Sequence, residues 1–398
     1  MFNKRTFYLV ILAGVAILLI ASLGTVGADP GLSPEEQLGK AIFFDEDLSI
    51  NHNQSCASCH SPEVGFSGPD SEINAHGAVY EGSVPGKFGN RRPPTAAYAT
   101  LSPILFNDKG TWTGGNFWDG RATGEKLGNP AADQAQGPFT NPVEQALPNS
   151  DEVVYRVCMS DYADLFEQVW GNEICAPGNE DMAFDSIALS IAIYEASPEV
   201  NAFSSKYDQT FDGMVKLSKL EQKGYALFRG KGMCHRCHIS NGQNALFTDY
   251  TFDNLGVPKN PENPVYDVDP NFVDYGLGGF LGDPAENGKQ KVPTLRNVDM
   301  RPGMPPDDEF VKAYMHNGYF KSLKDVVHFY NTRDVKPVCD LGYDPTAAEA
   351  IANDCWPAPE VAENVNTDEL GDLGLTEEEE LAIVAFMETL TDGYVAER

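Results

Sequence analysis

The sequence predicts a mainly α-helical fold in two related halves, and three observations predict it. The segment Leu32–Phe43 lines up with Leu217–Phe228 as an internal repeat. A C-x-x-C-H motif follows each copy, Cys56-Ala57-Ser58-Cys59-His60 in the first half and Cys234-His235-Arg236-Cys237-His238 in the second. Each half then closes on an amphipathic stretch of helical period, Phe184–Glu195 and Thr376–Leu390. The length agrees, since 398 residues suit two domains, each able to bury its own core.

The elements follow in chain order. Lys4 and Arg5 form a positive n-region, Phe7–Ala21 is an almost unbroken apolar run, and Val26-Gly27-Ala28 offers small residues for cleavage. Residues 1–28 therefore read as a signal peptide; the competing reading is an uncleaved membrane anchor. Either way the globular part is expected outside the cytoplasm: periplasmic, membrane-tethered or on the cell surface. The first domain is placed at 29–207 and the second at 208–398. Ser33 with Glu36, Ser218 with Glu221, and Thr376 with Glu379 form capping boxes that start helices, and Gly393 serves as the last helix stop. The Pro/Gly/Asn-rich stretches 65–94 and 256–291 read as long loops around a ligand. Gly276–Gly282 lacks the strand–turn–helix context of a phosphate loop and reads as irregular.

The repeated motif carries the chemistry. Two thiols three positions apart on one helical turn reach the two vinyl groups of a haem, and the following histidine points at the iron. Zinc would need four ligands in tetrahedral array. The expected cofactors are thus two covalently bound haems c, on Cys56, Cys59 and His60 and on Cys234, Cys237 and His238. The fold class sharpens to two cytochrome c-like domains related by duplication, with long irregular loops wrapping the haems. His235 reads as an exposed, variable residue. The other four cysteines, Cys158, Cys175, Cys339 and Cys355, fall in two short-spaced pairs, and disulfides 158–175 and 339–355 are the economical choice among three connectivities. The net charge of −31 leaves no basic stripe for phosphates, so nucleic acid is not expected as a partner. It suits either a solvated acidic surface or steering of a positively charged protein.

Several blocks resemble the bacterial di-haem cytochrome c peroxidases and their MauG branch. They are Arg92-Pro93-Pro94-Thr95, Phe117-Trp118-Asp119-Gly120-Arg121-Ala122, Gln134-Ala135-Gln136-Gly137-Pro138, Asn141-Pro142-Val143-Glu144, Val292-Pro293-Thr294-Leu295-Arg296-Asn297-Val298 and Tyr314-Met315-His316-Asn317-Gly318. The resemblance spans essentially the whole chain after residue 31. It implies that the first haem is the peroxidatic one, with Glu144 as acid/base, Gln134 as hydrogen-bond donor to the oxidant, and Trp118 as relay between the haems. Each has a plainer reading, since a Trp is usually core and a Glu or Gln usually surface. Arg121 is expected to be structural, paired with Asp119 or a haem carboxylate.

The sixth ligand of the second haem separates the branches. Reductively activated peroxidases resembling this chain carry methionine fourteen residues after the histidine of the Tyr314–Gly318 block. Here that residue is Tyr330, as in MauG, with Met315 and Met304 as fallback ligands and a packed core tyrosine as the plain alternative. His76 lies in the loop where many peroxidases hold a ligand to the first haem, but out of register, which leaves that haem open at rest. The resemblance also implies one Ca²⁺ at the domain interface, although Arg92 stands in place of the family's asparagine, and a homodimer.

Three functions are compatible with these residues. The leading one reduces hydrogen peroxide to water with electrons from a small cytochrome c or copper protein. The second uses peroxide to oxidise Trp or Tyr of a protein substrate, as in MauG. The third is a non-enzymatic di-haem electron carrier, against which Glu144 and Gln134 argue because they have no use above a closed haem.

Overall fold

The computed structural model describes residues 31–303 and 309–396. The leader or anchor at 1–28 and Met304 lie outside the described residues. Thirteen α-helices occur among them, joined by long loops, with two small antiparallel ribbons. In the first half these are α1 (Pro34–Phe43), α2 (Ser71–Ala75), α3 (Pro130–Thr140), α4 (Ser150–Cys158), α5 (Ala163–Trp170) and α6 (Glu180–Glu195). Helix α7 (Lys206–Phe211) leads into α8 (Lys219–Arg229), α9 (Val265–Val268), α10 (Gly276–Leu281), α11 (Leu323–Thr332), α12 (Ala347–Ala352) and α13 (Glu377–Glu388). Strand β1 (Phe106–Asp108) pairs with β2 (Thr111–Thr113), and β3 (Phe252–Asp253) with β4 (Gln290–Lys291).

The three expected capping boxes form, at Ser33, Ser218 and Thr376, each satisfying otherwise orphan amides. Helix α1 packs on α6 and α8 on α13, through a glycine each time. A Cβ on Gly39 would lie 1.9 Å from the Ser190 carbonyl oxygen, and one on Gly224 1.8 Å from that of Ala382. Two separate apolar cores result. One gathers Leu38, Phe43, Phe139, Ile187 and Tyr194, the other Phe228, Phe247, Phe329, Trp356 and Phe386. Helix α7 straddles residue 207, and Tyr207 sits wholly in the second core, its ring 5.1 Å from that of Phe247. Both short-spaced cysteine pairs are disulfides, Cys158–Cys175 and Cys339–Cys355.

Two local expectations are corrected. Gly276–Gly282 is not irregular, because Gly276–Leu281 forms a helical turn and a half. Asp274 accepts from the Gly276 amide, Leu277 is fully buried, and Gly278 lies where a Cβ would press on Asn287. Gly393 is not the stop of α13, which ends at Glu388 with Thr389 as its C-cap; Gly393 (φ 77°) instead turns the tail so that its amide donates to Ser204 Oγ. Among the described residues no helix is long and apolar enough to cross a membrane.

Candidate functional site: two cavities joined at Trp118

Both C-x-x-C-H motifs fold as a tight helical turn. The His60 amide donates to the Cys56 carbonyl and the His238 amide to the Cys234 carbonyl, each at 2.9 Å. This sets both thiols and the imidazole on one side of the turn, against a cavity. Cys56, Cys59 and His60 line a first cavity of about 240 Å³. Cys234, Cys237 and His238 line a second of about 190 Å³. Neither imidazole is free to rotate, because His60 Nδ1 is 3.3 Å from the Phe66 carbonyl and His238 Nδ1 is 2.8 Å from that of Phe247. A ring whose Nδ1–H is spent on a carbonyl keeps Nε2 unprotonated as a donor to metal. Burial also lowers both histidine pKa values, favouring the neutral ligand form.

These surroundings fit covalently held haem. The four motif cysteines are outside the disulfides, and burial keeps their thiols protonated. Lys291 lines both cavities, and its ammonium reaches only uncharged acceptors: Ser102 Oγ (2.8 Å), Asn116 Oδ1 (2.9 Å) and the Gly115 carbonyl. Burial pulls it down to about 7. A buried cation without a carboxylate is costly, and the carboxylates of a haem would supply the missing partner.

The first cavity brings Gln134 and Glu144 together with His60. Gln134 projects from α3, whose start is capped by Asn129. Glu144 sits in the turn after α3, its amide donating to the Asn141 carbonyl (3.0 Å) and its carbonyl accepting from Ser83 (2.7 Å). Asn141 Nδ2 donates to Glu144 Oε2 at 2.8 Å. Burial raises the Glu144 pKa, opposed by that hydrogen bond, which moves the carboxyl toward a range useful for proton transfer. His76 is not at this cavity. It is 59% exposed, and its Nδ1 meets the Glu72 carbonyl at 2.9 Å.

Tyr330 lines the second cavity from α11. That helix is held to α13 by Asn331, which donates to Glu380 Oε1 (2.6 Å) and to the Leu375 carbonyl (3.0 Å). The Tyr330 hydroxyl makes no hydrogen bond to the described residues, and burial raises its pKa. Such a phenol stays protonated unless a metal cation faces it. Met315 lines the same cavity at φ +67°.

Trp118 lines both cavities and is 6% exposed. Its Nε1–H donates to the Arg92 carbonyl at 2.9 Å, and its ring centroid lies 6.4 Å from that of His316. Arg121 pairs with Asp119 (2.7 Å) and stacks on Phe117. His235 is half-buried.

The family model of the di-haem cytochrome c peroxidases matches residues 33–216. The methylamine utilization protein MauG of Paracoccus denitrificans is 36% identical over 392 residues, 96% of this chain and 94% of its own length. The chain belongs to the di-haem cytochrome c peroxidase family. Cytochrome c551 peroxidase of Nitrosomonas europaea is 28% identical and covers 81% of this chain, 84% of its own. The crystal structure of the diheme peroxidase BthA from Burkholderia thailandensis superposes with a TM-score of 0.73 at 26% identity, covering 91% of this chain and 89% of BthA. Membership makes this chain an oxidoreductase of the cytochrome c peroxidase type with c-type haem as its cofactor, and it leaves the electron-carrier reading without support.

The structure adds residues at the cavities to which the sequence assigned no role. His316 is buried, with no hydrogen bond to Nε2 among the described residues, and burial pulls it down to about 4. Glu195 lines the first cavity at 4% exposure, and burial pushes it up to about 8. The glycine crossings pair Ser190 with Ala382 and Tyr194 with Phe386, so Glu195 occupies the place that Met387 holds in the second cavity.

Proposed function

We propose that this protein is a periplasmic di-haem peroxidase that reduces hydrogen peroxide to water at the first cavity. The observation that carries the reading is that Glu144 and Gln134 line one cavity with His60, while His76 lies exposed away from it. In this reading the chain is two cytochrome c-like modules related by duplication, bounded near residue 207. The haems, when bound to the two motifs, supply the electron transfer and the oxygen–oxygen bond cleavage. Peroxide takes two electrons and two protons to give two waters, and one electron held in each half accounts for the pairing of sites.

The chain's own residues do the rest. Gln134 orients the peroxide by hydrogen bonding. Glu144 accepts a proton at a carboxylate oxygen and returns it to the departing oxygen, so that water leaves and not hydroxide. Asn141 holds that carboxylate in place. Trp118 spans the two cavities as the electron relay, and Tyr330 is the residue that would hold the iron of a haem bound in the second. Electrons enter the second half from a small cytochrome c or a copper protein.

Tyr330 favours a second reading, in which a Trp or Tyr of a protein substrate is the electron source. A phenolate stabilises oxidised iron by its charge, and MauG is similar over nearly the full length. One experiment separates the two. Steady peroxide turnover with a reduced small cytochrome c supports the first, and turnover only with a protein substrate supports the second. An absorption spectrum that never responds to peroxide overturns both.

A further inference from the structure

We propose that the seam between the two halves is closed by two of the chain's own cations, Arg92 and Lys312, and not by the calcium ion that family resemblance implies. Lys312 is buried, and its Nζ donates to three main-chain carbonyls: Val64 (2.8 Å) from the first half, and Asn297 (3.0 Å) and Met300 (2.9 Å) from the second. An ammonium has three protons, and all three are used. A ring of carbonyl oxygens drawn from separate segments is the donor set that a hard metal cation takes. Here the lysine fills it.

Arg92 closes the seam from the other side. Its Nε donates to the Met315 carbonyl (3.0 Å), its Nη1 to the Pro93 carbonyl (3.2 Å), and its amide to the His316 carbonyl (2.8 Å). Its own carbonyl accepts the Trp118 indole proton, and its guanidinium stands 5.5 Å over the same ring. One residue therefore ties the relay tryptophan to the Tyr314–Gly318 block.

The residues present do not fit calcium. Calcium takes roughly six to eight oxygens, usually with carboxylates among them. The nearby carboxylates are committed elsewhere. Asp274 is held bidentate by Arg91 (2.6 Å for both contacts), Asp119 is shared by Arg91 and Arg121, and Asp299 pairs with Arg301. The Arg92 guanidinium would also repel a dication. The asparagine-to-arginine replacement thus moves the seam's positive charge from a dissociable ion into the chain.

The test uses the holoprotein with both haems, prepared without added metal. Calcium content by elemental analysis, the absorption spectrum and the thermal midpoint are compared before and after EGTA treatment. The expected result is calcium far below one per chain, with spectrum and midpoint unchanged by the chelator. About one calcium per chain, with a spectral or thermal change on its removal, overturns the proposal. As an independent arm, Lys312→Met in EGTA is expected to lower the midpoint by several degrees. A midpoint equal to that of the unmodified protein would overturn the role of Lys312. Neither readout depends on the electron donor.

Discussion

Replacing Glu195 by glutamine should change how stability depends on pH, and the sign follows from the structure. The carboxyl is 4% exposed and has no hydrogen bond to the described residues, so burial raises its pKa from the ordinary 4.5 to about 8. Between those values the native state holds a proton that the unfolded chain releases. Stability is therefore full below the unfolded pKa and is lost as pH rises through the folded one, levelling off above about 8. The whole shift corresponds to an upper limit of about 5 kcal/mol, which relaxation and water entry reduce to about 2–4 kcal/mol. Glu195→Gln cannot ionise and escapes this loss. Thermal unfolding of the holoprotein should show the variant within a few degrees of the parent near pH 4 and above it by roughly 5–15 °C at alkaline pH. Met387→Glu, at the matching position of the second cavity, should import the same pH dependence. Parallel curves for parent and Glu195→Gln across the whole range would refute the reasoning.

Other expectations concern the sites and the cores. Glu144→Gln should lower peroxide turnover by about 10²- to 10⁴-fold while leaving the resting spectrum intact; turnover within a few-fold of the parent would remove Glu144 from proton transfer. Tyr330→Met should change the spectrum and raise the potential of the second haem, since a thioether lacks the phenolate's charge, and unchanged values on spectroelectrochemical titration would exclude ligation. Asp208→Asn should destabilise the second half by about 3–5 kcal/mol, read by chemical denaturation. It strands Arg296, which is 1% exposed and held at 2.8 and 2.9 Å by that carboxylate.

What was legible in the sequence was local. The capping boxes, the two haem motifs and the disulfides each rest on residues within about one or two turns or one short loop, and pattern alone locates them. Tyr330 was reached by counting from His316 along a single chain segment, and it lines the expected cavity. The missed residues depend on distant partners. Lys312 belongs to no local pattern, and one of its acceptors, Val64, is 248 positions away. Glu195 looked like the polar end of an amphipathic helix, because only the crossing at Gly39 shows which way that last turn faces. The glycine-rich stretch misled for a different reason. Its helical turn is set by Asp274 and by packing on Asn287, neither of which a local propensity for irregular structure registers.

The eight cysteines have a consequence for how the protein is made. Four must be oxidised in pairs while four must stay reduced long enough to join haem, all in the same chain. Geometry sorts them, because each disulfide closes within its own half, across separations of 17 and 16 residues. Thiol exchange between a motif cysteine and a disulfide cysteine would consume a haem-attachment thiol and leave its partner reactive. Recombinant production therefore calls for an exporting host that matures c-type cytochromes as well as forming disulfides. In a reducing cytosol the chain would lack both sets of covalent links at once.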